Sequence, residues 1–151
     1  MTLQLRYELT GAGWADCTFE LDGQRAHTTA TYLSDALDEL CRATLEVLRG
    51  ASHAEAVFDE EPGEYRWLFD RSQDQRLRIR IVDGVLTPEN SIDTILLDAG
   101  CTAREFGEVL LSELQRLLEL HGEDGYLEKW VRFPFPRTRL EELRAVVEAG
   151  V

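Results

Sequence analysis

Residues 65–81 read YRWLFDRSQDQRLRIRI and contain two alternating stretches joined by a polar segment. Large apolar residues occupy every second position of both stretches, and arginines fill the alternate positions of the second: Tyr65, Trp67 and Phe69, then Leu77, Ile79 and Ile81 opposite Arg76, Arg78 and Arg80. A period of two is typical of a strand with one buried face. This stretch therefore predicts a β-hairpin with an arginine comb (Arg76, Arg78, Arg80) on its outer side, closed at Asp83-Gly84.

The same alternation occurs earlier in the chain. It marks strands at Leu3–Leu9 and Cys17–Leu21, and Asp22-Gly23 supplies the residue pair that a two-residue hairpin turn favours. The return strand is predicted over residues 24–32, with Tyr32 on the same face as Ala26. Further strands are predicted at residues 54–58 and 92–97.

Helical spacing of apolar residues separates these strands. Ser34 and Asp35 predict the start of a first helix that runs to Gly50. Thr102 and Glu105 have the spacing of a capping box, and the apolar stripe behind them predicts a helix ending near His121-Gly122. A further helical turn is predicted at residues 126–131, and a last helix at residues 139–148.

Consecutive strands joined by hairpins favour antiparallel pairing, because a parallel pair needs a long crossover connection. The order of elements predicts a two-layer α+β fold, in which a mostly antiparallel sheet is one layer and helices that cover one of its faces are the other. A length of 151 residues is typical of a single domain, so we expect residues 1–151 to form one.

The chain carries a net charge of −13, which repels the phosphates of nucleic acids and anionic lipid headgroups and favours encounter with a basic partner. No apolar run approaches the roughly 20 residues that span a bilayer, and charged residues interrupt the first apolar stretch, where a signal peptide has none. We therefore expect a cytoplasmic protein that binds neither nucleic acid nor membranes.

No catalytic or metal-binding motif stands out in the sequence. Cys17, Cys41 and Cys101 are widely separated, and the spacing of the three histidines matches no metal-ligand pair. Cys101 directly precedes a predicted helix, whose dipole can stabilise a thiolate. No histidine is near it in sequence, and we expect a packed thiol, no cofactor, no metal and no enzymatic activity.

The two local charge features have different interpretations. Cross-strand salt bridges to residues such as Glu64 or Asp70 account for the arginine comb, although a contact with an acidic partner is an alternative. The acidic turn, residues 59–64 with the sequence DEEPGE, offers a negative surface to a basic cleft. We predict partner contacts at this turn and the next strand, through Asp59, Glu60, Glu61, Glu64 and Trp67.

A small, acidic α+β chain without a catalytic motif resembles the immunity proteins of bacterial polymorphic toxin systems. The nearest feature to a signature is GYLEKWVRFPFP at residues 125–136, and no functional residue is carried over from it. The resemblance implies a stoichiometric binding protein that blocks a toxin domain. The alternatives are a structural domain that forms a homodimer or other oligomer, and a small enzyme that uses Cys101.

Overall fold

A computed structural model describes residues 2–60, 63–86 and 91–150 of the chain. Its strands are β1 (Leu3–Gly11), β2 (Trp14–Leu21), β3 (Gln24–Thr31), β4 (His53–Glu60), β5 (Gly63–Arg71), β6 (Arg76–Leu86) and β7 (Ser91–Thr102). Its helices are α1 (Ala36–Leu48), α2 (Ala103–Trp130) and α3 (Arg137–Glu148). None of the described helices is long and apolar enough to cross a membrane.

The strands form two antiparallel sheets, where the sequence predicted a single sheet. Sheet A has the order β1-β2-β3 and sheet B the order β4-β5-β6-β7. Helix α1 packs along β4, and α2 packs along β1. Antiparallel strands packed with helices confirm the α+β class.

One prediction of local structure is confirmed in detail and a second in part. The backbone N–H of Glu105 donates to the hydroxyl of Thr102 at 3.0 Å, and the N–H of Thr102 donates to the Glu105 carboxylate at 2.8 Å. This capping box starts α2, as its spacing predicted. The predicted end at Gly122 is a break inside α2, where Gly122 takes a φ of 67° before helical structure resumes.

The prediction that Asp83-Gly84 closes a hairpin is wrong. Strand β6 continues through both residues, and Gly84 pairs with Glu64 of β5 and with Asp93 of β7. Asp-Gly favours a turn locally, but here pairing on both sides of the strand outweighs that preference.

One aromatic cluster joins the inner faces of the two sheets to α2. Phe19 of β2 lies 5.4 Å from Trp67 of β5 between ring centroids, and Phe106 of α2 lies 5.2 Å from Phe69. Phe58 completes the cluster at 5.7 Å from Trp67. Offset and edge-on aromatic packing of this kind adds to the stability gained by burial.

Side chains occupy the hydrogen-bonding edges of the sheets. At Tyr7 of edge strand β1, the backbone N–H donates to Glu113 of α2 at 2.5 Å and the carbonyl accepts from Arg116 at 3.0 Å. Gln24 of β3 bonds both backbone groups of Asp98 in β7, at 2.8 and 2.9 Å. These contacts protect edges that would otherwise pair with another chain.

We expect Glu113→Ala to lower the free energy of unfolding by about 2–4 kcal/mol, because it leaves the N–H of Tyr7 and the guanidinium of Arg116 without their partner. Urea titration would measure the change. Glu108→Ala, which removes an exposed carboxylate from the same helix, is the control and should cost less than about 1 kcal/mol. Equal stability of the two variants would show that the buried pair contributes nothing.

Candidate docking surface

Three large side chains are exposed together at one end of sheet A. Trp14 begins β2 and lies opposite Thr31, the last residue of β3. Tyr32 and Leu33 follow directly in the loop to α1, and the exposed fractions of Trp14, Tyr32 and Leu33 are 44%, 41% and 40%. Exposed aromatic and aliphatic side chains that neighbour one another are typical of protein interfaces.

Gly13 is required for this arrangement. Its φ is 81°, and a Cβ at this position would lie 2.6 Å from the ring of Tyr32. The backbone N–H of Gly13 also donates to the carbonyl of Lys129 at 3.0 Å, which holds the β1–β2 turn against α2. The ring of Tyr32 therefore packs directly against the backbone of the β1–β2 turn at Gly13.

Two hydrogen bonds clamp the loop to the beginning of the acidic turn. The hydroxyl of Thr31 donates to the carbonyl of Asp59 at 3.1 Å, and the N–H of Asp59 donates to the hydroxyl of Ser34 at 3.1 Å. Tyr32 and Leu33 lie between the two clamping residues. Tyr32 and Leu33 are therefore held beside Asp59, the first residue of the acidic turn.

The carboxylates of this region are poorly neutralised. Asp59, Glu60 and Asp83 form no ion pair within the described residues, and Glu64 lies 3.7 Å from Arg66. Burial raises the pKa of Tyr65, and the negative charges of Glu60 and Asp83 raise it further. The turn therefore presents a negative field that a basic partner can satisfy.

We name Trp14, Tyr32 and Leu33, together with Asp59, Glu60 and Glu64, the docking surface. Of the residues predicted to contact a partner, Asp59, Glu60 and Glu64 belong to it and are partly exposed. Glu61 lies outside the described residues. Trp67 does not belong to the surface, because its side chain is 0% exposed and packs against Phe19 and Phe58. Its assignment as a contact residue is corrected to a core position.

Tyr32 and Leu33 were not singled out by the sequence. The return strand predicted over residues 24–32 includes Tyr32, on the same face as Ala26, whereas β3 ends at Thr31. The signal that could have found them is the Ser34-Asp35 helix start, since two large apolar residues just before it must lie in a connecting loop.

Cross-strand carboxylates engage two arginines of the comb. Arg78 makes two hydrogen bonds to Asp98, at 2.9 and 2.7 Å, and Arg80 bonds Asp70 at 2.8 Å. Such pairs account for Arg78 and Arg80 without an acidic protein partner.

The histidines occupy separate places in the fold. His27 pairs with Asp16 at 3.5 Å, and His53 bonds Asp70 at 2.8 Å. Across residues 2–60, 63–86 and 91–150, no three His, Cys, Asp or Glu side chains converge as metal ligands would.

Cys101 has the properties of a packed thiol. Its side chain is fully buried. Burial raises the pKa of Cys101 to about 12, and the carboxylate of Glu105 adds to the effect. The thiolate that nucleophilic catalysis needs is therefore disfavoured near neutral pH.

We expect none of the three thiols to react with Ellman's reagent in the folded protein at pH 8, because Cys17, Cys41 and Cys101 are all buried. All three should react after denaturation in guanidinium. Fast labelling of Cys101 in the native state would contradict the packed arrangement and revive the catalytic alternative.

Asp35 ends the loop of residues 32–35 that carries Tyr32 and Leu33, which we call the docking loop, and it directly precedes α1. Burial raises the pKa of Asp35 to about 6, and the nearby charge of Asp38 contributes. The folded protein therefore binds this proton more tightly than the unfolded chain does. Protonated Asp35 therefore contributes to the free energy of unfolding. This contribution is fully present below about pH 4 and is lost as the pH rises through 6.

We expect the free energy of unfolding of Asp35→Asn to exceed that of the wild type by about 1 kcal/mol at pH 7, after allowance for solvent screening of a partly exposed group. The difference should shrink as the pH falls to 4. Urea titrations of both proteins at several pH values would measure it, and a difference independent of pH would contradict the raised pKa.

A concave groove lies between the outer face of sheet A and α2, with a volume of about 940 Å³. It is polar, and its charged residues have both signs: Arg6, Glu8, Asp16, Glu20, Arg25, Glu108, Glu113 and Arg116. This mixture selects no single class of ligand.

Comparison of the chain with protein-family models, with curated proteins and with solved structures finds no match. The geometry of the docking surface therefore carries the functional argument.

Proposed function

We propose that this chain is a stoichiometric protein-binding module that engages a basic partner through the docking surface. The observation that carries the proposal is that hydrogen bonds from Thr31 and Ser34 hold exposed Tyr32 and Leu33 beside Asp59. Neither Asp59 nor the adjacent Glu60 forms an ion pair within the described residues. Apolar side chains at the centre of an interface supply most of its affinity, and surrounding charges supply steering and specificity.

The partner class follows from charge complementarity. A basic surface with an apolar recess accommodates both parts of the docking surface. The resemblance to immunity proteins makes a cognate toxin domain the first partner to test, with inhibition by steric and electrostatic blocking. The free, buried cysteines suit a reducing compartment such as the cytoplasm.

Affinity capture from a lysate of the source organism tests the proposal with three baits. These are the wild type, the docking variant Tyr32→Ala with Leu33→Ala, and the control Ile95→Ala with Leu120→Ala, which removes apolar side chains that are also exposed. We expect one basic protein, in a fixed ratio, on the wild type and the control, and its loss from the docking variant.

High salt should weaken the capture, because charge steering is screened. A partner retained equally by the docking variant would refute the proposed surface. Recovery of additional bait alone would favour a homodimer instead.

A further inference from the structure

The last turns of α2 carry further exposed apolar side chains. Leu127 and Val131 are 41% and 55% exposed, although Tyr126 and Trp130, which directly precede them, are fully buried. The two buried rings fix this end of the helix in the core, so Leu127 and Val131 are held at the surface on a rigid element. Neighbouring exposed apolar side chains are typical of protein interfaces.

Two carboxylates accompany these apolar side chains. Asp124 and Glu128 lie three residues before and one residue after Leu127, and this spacing places all three on one face of the helix. Asp124 and Glu128 are exposed, and neither forms an ion pair within the described residues. We name Asp124, Leu127, Glu128 and Val131 the helix stripe. Like the docking surface, it combines apolar side chains with carboxylates that no cation neutralises.

The backbone conformation at Val131 is unfavourable for a valine. Val131 ends α2 with a φ of 84° and a ψ of −49°, and its N–H donates to the carbonyl of Leu127 at 2.7 Å. Glycine adopts a positive φ without strain, whereas a β-branched residue there is an outlier. Strained residues of this kind cluster at functional sites. Because the valine is both strained and exposed, folding alone does not account for it.

A hydrogen bond joins this end of α2 to the docking surface. The N–H of Gly13 donates at 3.0 Å to the carbonyl of Lys129, which lies between the two apolar residues of the stripe in sequence. Gly13 also packs against the ring of Tyr32 and directly precedes Trp14. The β1–β2 turn therefore contacts both the segment that carries the helix stripe and the residues of the docking surface.

We propose that the helix stripe is a second contact region for the basic partner of the docking surface, an inference that rests on the proposed function. The stripe and the docking surface require the same chemistry of a partner, namely an apolar recess with cations beside it. A second copy of this chain does not supply it, because its net charge of −13 repels the carboxylates of the stripe.

The stripe variant is Leu127→Ala with Val131→Ala, and surface plasmon resonance measures its affinity for the basic protein that the wild type captures. We expect the Kd to rise by about 10-fold or more, because two apolar contacts are lost. The control is Ile95→Ala with Leu120→Ala, which also removes two exposed apolar side chains and whose Leu120 lies before the break at Gly122. Its Kd should stay within about twofold of the wild-type value. Wild-type affinity of the stripe variant would overturn the proposal.

Val131→Gly separates a contact role from a structural one. Glycine relieves the strain of the positive φ, so the midpoint of urea unfolding should rise while the affinity for the partner falls. A lower midpoint would assign the valine a structural role, and unchanged affinity would remove it from the contact region. Either result would overturn its part in the proposal.

Affinity capture with the stripe variant and the docking variant as parallel baits distinguishes this inference from the proposed function. We expect both variants to lose the partner. Loss from the docking variant with full retention by the stripe variant would overturn the helix stripe and leave the docking surface intact. Loss from the stripe variant alone would refute the docking surface and leave the stripe as the contact. Capture of no basic protein by the wild type would overturn both.

Discussion

Trp67→Ala is expected to lower the free energy of unfolding by about 3–5 kcal/mol. The indole is fully buried and contacts the rings of Phe19, Phe58, Phe69 and Phe106, so its removal opens a cavity between both sheets and α2. Domains of this size are stable by about 5–15 kcal/mol, so the loss is a large fraction of the total. Urea titration followed by circular dichroism measures it.

Trp14→Ala is the matched control, because it removes the same side chain from the docking surface. Its effect on stability should be within about 1 kcal/mol, and it should weaken partner binding. If Trp67→Ala does not fold, Trp67→Phe gives a smaller, measurable loss of about 1–3 kcal/mol. Wild-type stability of both Trp67 variants would contradict the core position.

Charge reversal in the acidic turn is expected to reduce the rate of partner association by about 10- to 100-fold at low salt. The variant is Glu60→Lys with Glu61→Lys, which converts attraction into repulsion for a basic partner. Stability should change by no more than about 0.5 kcal/mol, because Glu60 is partly exposed and the charges of an acidic turn are usually solvated. Surface plasmon resonance at several salt concentrations measures the rates.

The control for charge reversal is Glu119→Lys with Glu148→Lys. Both residues are exposed on helices, and the change in net charge is the same. Its association rate should fall much less than that of the turn variant. Equal slowing by the two variants would show that overall charge, and not the acidic turn, governs the encounter.

The fold was predictable where a local signal and the tertiary packing agree. The Thr102–Glu105 capping box predicts a helix start, and the alternation in β5 and β6 predicts two strands. The chain forms both. Asp83-Gly84 shows the opposite case, since its turn preference is local while the pairing on both sides of β6 comes from distant strands. The division into two sheets depends on such distant contacts and has no local signature.

The candidate site was predictable only in part. The carboxylates of the acidic turn are visible in the sequence because charge patterns are local. The position of Tyr32 and Leu33 beside this turn depends on two hydrogen bonds of Asp59, which accepts one from Thr31 and donates one to Ser34, 28 and 25 residues away in sequence. Trp67 illustrates the same limit, because periodicity placed it on an apolar face without showing that the other sheet covers that face.

Hydrogen–deuterium exchange of the chain, alone and bound to its captured partner, tests the docking surface most directly. We predict slower exchange on binding in residues 31–34, 57–60 and 63–66, with little change along the outer face of sheet A. Protection confined to the groove between sheet A and α2, with unchanged exchange in residues 31–34 and 57–60, would contradict the proposed docking surface.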